Sequence, residues 1–311
     1  MSVATAPAAL ATRVEEARAR LAPLLSEYPF TPRFHAQPHG AGTLLQHYVD
    51  EGPRTDEATL FVHGNPTWSF AFRRALRTLS AERRCVAVDH VGCGLSDKPG
   101  DFAYTLGSHV ANLERLVLAL GLARIHLVVH DWGGPIGLGF ARRHPGRIAS
   151  LTLTNTAAFP LDGALPLRLS ACRWPVFGAL AIRGLNAFAR AATWMAVERP
   201  LASRVKRGYL LPYDSWANRI ATHEFVRDIP LAPGDPAFEE LAAIERDLTL
   251  FEAVPVQLLW GARDFVFTTK FLAEWRRHFP RATVACWEDA GHYLFEDRAE
   301  DFVAALRAFP G

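Results

Sequence analysis

The run Leu127-Val128-Val129-His130-Asp131-Trp132-Gly133-Gly134-Pro135 decides how the rest of the chain is read. A short apolar stretch bounded by small residues has the pattern of a strand buried on both faces. Pro135 to His144, with no breaker before Pro145, predicts the helix that follows it. Asp131 therefore falls on a strand–turn–helix beside two glycines. Such a turn lifts one side chain above the carboxyl edge of a sheet, while the glycines let strand and helix approach closely. This is the shape of a nucleophile elbow, with aspartate where serine is usual. Serine attacks acyl carbon, whereas a carboxylate can attack saturated carbon and become an alkyl ester of the enzyme. From this stretch alone a second reading stays open, in which Asp131 is only the N-cap of the helix.

The same pattern repeats on both sides. Upstream, Tyr28 to Asp50 forms two extended runs around Gly40 and Gly42, as an edge hairpin would. Thr59–Val62 predicts a strand that opens into His63-Gly64-Asn65-Pro66-Thr67-Trp68, with a helix over Phe70–Leu79. Cys85–Val88 predicts another strand, running into Asp89, and a helix over Leu106–Leu120 leads to the elbow strand. Downstream, Ile148–Thr154 ends at Asn155, Pro255–Trp260 and Thr283–Trp287 resume the strands, and Phe295–Phe309 closes the chain as a helix. Strands separated by helix-length segments predict an α/β architecture with a mostly parallel, doubly wound sheet. Its ligands should lie at the carboxyl ends of the strands.

Between the last two groups of strands the alternation breaks. Phe159 to Pro230 reads as helices and loops holding Trp174, Phe177, Leu185, Phe188, Trp194, Met195, Tyr209, Tyr213 and Trp216, interleaved with arginines. An insertion of this size reads as a helical cap over the catalytic edge. The expected organisation is a leader at 1–27, helical or disordered, core at 28–158, cap at 159–230 and core again at 231–311. In the leader, Val14, Ala17, Leu21, Leu24 and Leu25 fall at helical spacing.

Composition excludes several classes. With 311 residues, 50% hydrophobic, 21% charged and a net charge of +2, nothing favours a nucleic-acid partner. Cys85, Cys93, Cys172 and Cys286 lack metal-ligand spacing, and no secretory signal or membrane-spanning run is visible, so a cytoplasmic protein with free thiols is expected.

Each resumed strand delivers a polar residue to the same edge. The first runs into Gly261-Ala262-Arg263-Asp264, the second into Asp289-Ala290-Gly291-His292-Tyr293. Nucleophile, acid and histidine, each after a strand, follow the triad order of an α/β-hydrolase, with Asp131 as nucleophile, His292 as base and Asp264 orienting it. Alone, Asp264 reads as a turn residue and His292 as a solvated one; their order after Asp131 makes them catalytic candidates. Asn65 and Trp132 supply backbone amides placed as an oxyanion hole, and their side-chain N–H groups suit a departing halide or carboxylate. For Trp132 simple packing is the alternative. His63 and His130 flank the site and are read as structural. No metal and no organic cofactor is implied.

The segments His63–Trp68, Asp89-His90-Val91-Gly92-Cys93-Gly94-Leu95-Ser96-Asp97-Lys98-Pro99 and Val129–Gly134 resemble the haloalkane dehalogenase family. That resemblance implies an α/β-hydrolase with a helical cap, an aspartate nucleophile at Asp131 and halide-holding residues at Asn65 and Trp132. The acid at Asp264 is similar to one branch of the family. Val129 stands where a small residue often precedes an elbow nucleophile, a replacement that aspartate elbows of this family tolerate. A narrower resemblance lies in Asn155–Pro160, Arg183–Phe188, Pro212–Arg219 and Asp228–Leu231, which are similar to the β-lactone decarboxylases of bacterial long-chain olefin biosynthesis. It implies decarboxylation of cis-3,4-dialkyl β-lactones to cis-alkenes through an alkyl ester of Asp131. The substrate is then small and hydrophobic with long alkyl chains, and a complex with the β-lactone-forming enzyme is implied, through the leader or the Leu167–Arg190 stretch. Haloalkane dehalogenation is the alternative. Epoxide hydrolysis, for which Tyr209 and Tyr213 would be the ring-opening groups, fits Asn65 less well.

Overall fold

The computed structural model describes residues 6–160 and 167–309; 1–5 of the leader and 161–166 of the insertion lie outside the described residues. Eight strands occur in chain order: β1 (Arg33–His39), β2 (Gly42–Glu51), β3 (Glu57–Val62), β4 (Cys85–Val88), β5 (Arg124–His130), β6 (Ile148–Thr154), β7 (Val256–Gly261) and β8 (Thr283–Trp287). They form one sheet in the order β1-β2-β4-β3-β5-β6-β7-β8. The β1–β2 hairpin is antiparallel, and β2 joins β4 antiparallel. Every pairing from β4 to β8 is parallel. From β3 the chain moves one way to β4, then crosses back to β5 on the other side. The crevice above the carboxyl ends of β3 and β5 is thus a topological switch point, the usual place for a ligand.

Ahead of the insertion come α1 (Ala6–Leu21), α2 (Arg73–Leu79), α3 (Leu106–Ala119) and α4 (Gly133–Arg143). The insertion between β6 and β7 holds α5 (Leu167–Cys172), α6 (Pro175–Gly178), a π-helical turn (Ala179–Gly184), α7 (Ala187–Met195), α8 (Ser203–Leu210) and α9 (Ile220–Arg227). Then come α10 (Pro236–Asp247), α11 (Thr269–His278), α12 (Leu294–Asp297) and α13 (Ala299–Ala308).

Side chains alternate across the sheet, so each central strand feeds two cores. Leu60, Val62, Leu127, Val129, Leu151 and Leu153 bury against α3, α4 and α10 on one face. Phe61, Ala87, Val128 and Leu259 bury on the other, against Phe72 and Leu76 from the α2 region and Phe302 of α13. Central strands of a parallel sheet are therefore apolar at consecutive positions, which is why they were visible as unbroken apolar runs.

Two helices differ from their expected form. The segment expected as one helix over Phe70–Leu79 begins with a 3-10 turn, Ser69–Phe72, before α2. The closing helix is broken at Arg298, whose backbone leaves the helical region at φ −127° and ψ 47°. The break leaves the buried Asp297 carboxylate accepting from the backbone N–H of Glu198, Arg199 and Gly291, which holds the α7–α8 connection of the insertion against the loop before His292.

Ala17, Leu21 and Leu24 are buried on the body, while Leu25, expected on the same face, is exposed. Arg13 donates to Leu95 O, and Arg20 donates to Leu211 O and Asp214, so α1 bridges the β4–α3 loop and the insertion. The large apolar and aromatic side chains of the insertion are divided: Tyr209 and Tyr213 are buried, but Trp174, Phe177, Leu185, Trp194 and Trp216 face outward.

A buried ion pair ties these parts together. Arg73 donates to Glu296 Oε1 and Oε2 at 2.5 and 2.9 Å, and the Tyr209 hydroxyl donates to Glu296 Oε1 at 2.5 Å. Arg73 and Glu296 side chains are 1% and 2% exposed, so removing one partner strands a charge away from water. Glu296→Ala is expected to lower unfolding free energy by about 3–5 kcal/mol, read from urea titration; a loss below about 1 kcal/mol would mean that water or Glu27 takes over the Arg73 charge.

Candidate active site

The elbow forms because three backbones crowd around Asp131. Asp131 has φ +52°, its N–H donates to Asn155 O at 3.1 Å, and its carbonyl accepts from Gly134 N–H at 2.9 Å. Glycines are required where the neighbouring chains touch. A Cβ on Gly64 would lie 2.1 Å from Asp131 Oδ1, and one on Gly133 would lie 2.0 Å from Val62 O.

Asp131 Oδ1 accepts from Asn65 N–H at 2.6 Å, and the Trp132 amide faces the carboxylate closely enough to favour its ionised form. The two amides read from the sequence as an oxyanion hole are therefore turned on the candidate nucleophile itself. Oδ2 lies 3.7 Å from His292 Nε2. His292 Nδ1–H donates to Asp264 Oδ2 at 2.7 Å, which fixes the tautomer that leaves Nε2 toward Asp131. Asp264 Oδ1 accepts from the N–H of Val266 and Phe267 at 2.7 and 3.1 Å. All three side chains are buried.

Their electrostatics differ. Burial pushes the Asp131 carboxyl up to about 6, against the pull of His292 and of the Trp132 and Asn65 amides. Burial lowers the His292 imidazole, but the Asp264 carboxylate, its hydrogen bond and the Asp131 charge outweigh that, so it lies above its ordinary value. Because attack needs the ionised carboxylate, kcat/KM is expected to fall about tenfold per pH unit below about 6. A pH–rate profile flat down to pH 4 would show that Asp131 titrates like an ordinary carboxylate.

The two candidate anion donors are placed differently. One amide N–H of Asn65 is committed to Thr222 O at 3.1 Å, leaving its second N–H for a ligand, and Oδ1 is buried without a partner. Trp132 is half-buried, packs on Phe225 of α9 at 5.3 Å between ring centroids, and its indole N–H has no hydrogen bond among the described residues. With Thr222 on Asn65 and Phe225, three residues later, on Trp132, one face of α9 covers the space between the two donors. His63 donates from Nδ1 to Gly64 O and accepts the His90 N–H at Nε2, and His130 donates to His292 O. Burial lowers both imidazoles, so they serve as neutral supports of the β3 turn and the β8 loop.

Asn155, which ends β6 and opens one of the segments similar to the β-lactone decarboxylases, ties the elbow to the end of β7 and to Asp264. Fully buried at φ +33°, it accepts at its backbone O from Asp131 N–H. Its Nδ2 donates to Asp264 Oδ2 at 2.8 Å and Gly261 O at 3.1 Å, and its Oδ1 accepts from Gly261 N–H at 2.8 Å. A polar residue ending a buried strand at the carboxyl edge of the sheet is its signal in the sequence. Asn155→Gly keeps the positive φ but removes the amide; kcat is expected to drop about 10- to 100-fold with KM little changed, measured by steady-state kinetics. An unchanged kcat would make the amide a purely structural link.

A family model for the alpha/beta hydrolase fold matches residues 58–299. The chain belongs to the α/β-hydrolase family. This α/β-hydrolase is 44% identical over 269 residues to a cis-3-alkyl-4-alkyloxetan-2-one decarboxylase of Shewanella oneidensis, covering 85% of this chain and 84% of that one. It is 42% identical over 293 residues to the enzyme of that name from Xanthomonas campestris, covering 91% and 96%. Haloalkane dehalogenase 2 of Mycobacterium tuberculosis is 32% identical over 280 residues, covering 90% and 94%. Among solved structures, haloalkane dehalogenase DatA of Agrobacterium tumefaciens superposes with a TM-score of 0.78 at 27% identity, over 89% of this chain and 95% of that one.

Proposed function

We propose that this α/β-hydrolase decarboxylates cis-3-alkyl-4-alkyl β-lactones to cis-alkenes and carbon dioxide in long-chain olefin biosynthesis. The observation that carries the reading is the likeness, above 40% identity over most of both chains, to two enzymes named for that reaction. Asp131, His292 and Asp264 are the proposed catalytic residues, and Asn65 and Trp132 the proposed anion donors.

Asp131 Oδ2 attacks ring carbon 4 and breaks its bond to the ring oxygen, whose electron pair becomes a free carboxylate. Asn65 and Trp132 donate to that carboxylate as it departs. The carbon–carboxyl bond then cleaves; its electrons form the double bond and expel Asp131, releasing carbon dioxide. Inversion at carbon 4 followed by anti elimination converts a cis ring into a cis-alkene, and no water is consumed. His292, held with its partner Asp264, stabilises the carboxylate of Asp131 as it leaves. Ring opening releases strain, which suits a nucleophile that must also be a good leaving group.

Dehalogenation of alkyl halides is the second reading, favoured by the 3.7 Å separation between His292 Nε2 and Asp131 Oδ2, near which a hydrolytic water would be activated. The test gives purified protein a cis-dialkyl β-lactone and, separately, 1-bromohexane, following alkene by gas chromatography and bromide by an ion assay. Alkene with little bromide supports the decarboxylase; rapid bromide release with untouched lactone replaces it with the dehalogenase. A cytoplasmic location, supported by four free thiols, and a complex with the β-lactone-forming enzyme belong to the same proposal. Co-purification that survives removal of residues 1–27 would discount the leader as the contact.

A further inference from the structure

The outward side of the insertion is unlike the rest of the surface. Trp174, Val176, Phe177, Leu180, Leu185 and Trp194 are 65%, 74%, 54%, 57%, 72% and 65% exposed. They come from α6, the π-helical turn, α7 and the residues joining them, and Trp174 and Phe177 meet edge to face at 6.5 Å. Large apolar side chains of a soluble surface are normally scattered singly, so a concentration of them marks a surface that something covers.

The charges of the same stretch are of one sign. Leu167 to Val197 contains four arginines, Arg168, Arg173, Arg183 and Arg190, and no Asp or Glu. Across Phe159–Pro230 ten basic side chains face five acidic ones, net +5, so the remaining chain is net −3 although the whole is +2. Arg183 lies over the exposed Trp216 ring at 4.7 Å and donates to Trp216 O, and Arg190 has no acidic partner among the described residues.

We propose that this face binds the surface of an anionic lipid bilayer, with Trp174, Phe177, Leu180 and Trp194 entering the headgroup–acyl boundary and Arg183 and Arg190 meeting lipid phosphates. Exposed tryptophan, phenylalanine and leucine beside unpaired arginine is the composition of a helix that lies in a membrane interface. A bilayer offers a negative potential and an apolar layer without demanding shape complementarity, which suits side chains presented from short successive turns. No helix among the described residues is long and apolar enough to cross a membrane, so attachment is from one side. The proposal does not depend on which substrate the buried site takes.

The experiment mixes the purified full-length chain, with no other protein present, with vesicles of phosphatidylcholine containing phosphatidylglycerol or of phosphatidylcholine alone, and measures flotation and quenching of tryptophan by brominated lipid. The chain is expected to float with the anionic vesicles at least about tenfold more strongly than with the neutral ones, and to be released by salt. Trp174→Ser/Phe177→Ser and, separately, Arg190→Glu should each weaken flotation by about tenfold or more while the thermal midpoint and circular dichroism stay unchanged. A folded wild-type chain that stays with neither vesicle overturns the proposal, as does undiminished flotation of both variants. If vesicles are ignored and the double variant instead converts a dimer to a monomer, or loses retention of the β-lactone-forming enzyme, the face is a protein interface and the lipid assignment is wrong.

Discussion

Asp131→Asn is expected to abolish alkene formation, lowering kcat by about 10⁴- to 10⁶-fold, because the amide cannot form the ester on which both bond-breaking steps depend. The same variant should be more stable than the parent at neutral pH. Burial raises the Asp131 carboxyl from 3.8 to about 6, so ionised Asp131 is held at a cost that is absent below about pH 4 and fully present above about 6. Asparagine removes that charge, for a gain of about 1–3 kcal/mol in urea unfolding at pH 7, shrinking to nothing by pH 4. Loss of activity together with loss of stability would point to collapse of the elbow, and retained alkene formation would remove Asp131 from the mechanism.

His292→Gln separates the two chemistries. With the β-lactone, alkene formation should slow by about 10²- to 10³-fold yet run to completion, and intact mass should show an unmodified chain at the end, because decarboxylation expels Asp131 without water. With 1-bromohexane the variant should release at most one bromide per chain and retain one hexyl group on Asp131, since the water that would cleave the ester is no longer activated. A persistent lactone-derived adduct would mean that hydrolysis completes the natural reaction, and the decarboxylase reading would fail. The contrast rests on Asp264 holding His292 at 2.7 Å, so Asp264→Asn should mimic a weaker form of both results.

Much of this was legible in the residues. Strands β3, β5, β6 and β7 are buried on both faces, so their apolar runs stand out, and a parallel sheet delivers the residue after each strand to one edge. Local sequence plus strand order places the candidates Asp131, Asp264, His292, Asn65 and Trp132 at one edge, and the structure brings them together there. The irregular helices resisted the same treatment. Helical periodicity does not register the break at Arg298, where backbone leaves the helix so that Asp297 can accept three backbone donors.

By itself, then, the sequence determined the strand order's raw material, the elbow, the polar residue after each strand and the acid-free stretch from Leu167 to Val197, because all of these are properties of neighbouring residues. Tertiary structure alone decided that the Asn65 and Trp132 amides embrace the Asp131 carboxylate, that Asn155 ties β6 to β7 and to Asp264, and that Arg73, Glu296 and Tyr209 meet. It also decided which insertion aromatics turn inward: Tyr209 and Tyr213 are buried and Trp174 and Trp194 are not, though all four lie in one aromatic-rich stretch. The reason is common to these cases. Composition and period report the environment a residue prefers, but partners distant in the chain choose among positions that satisfy that preference equally well, and only the folded packing brings those partners within reach.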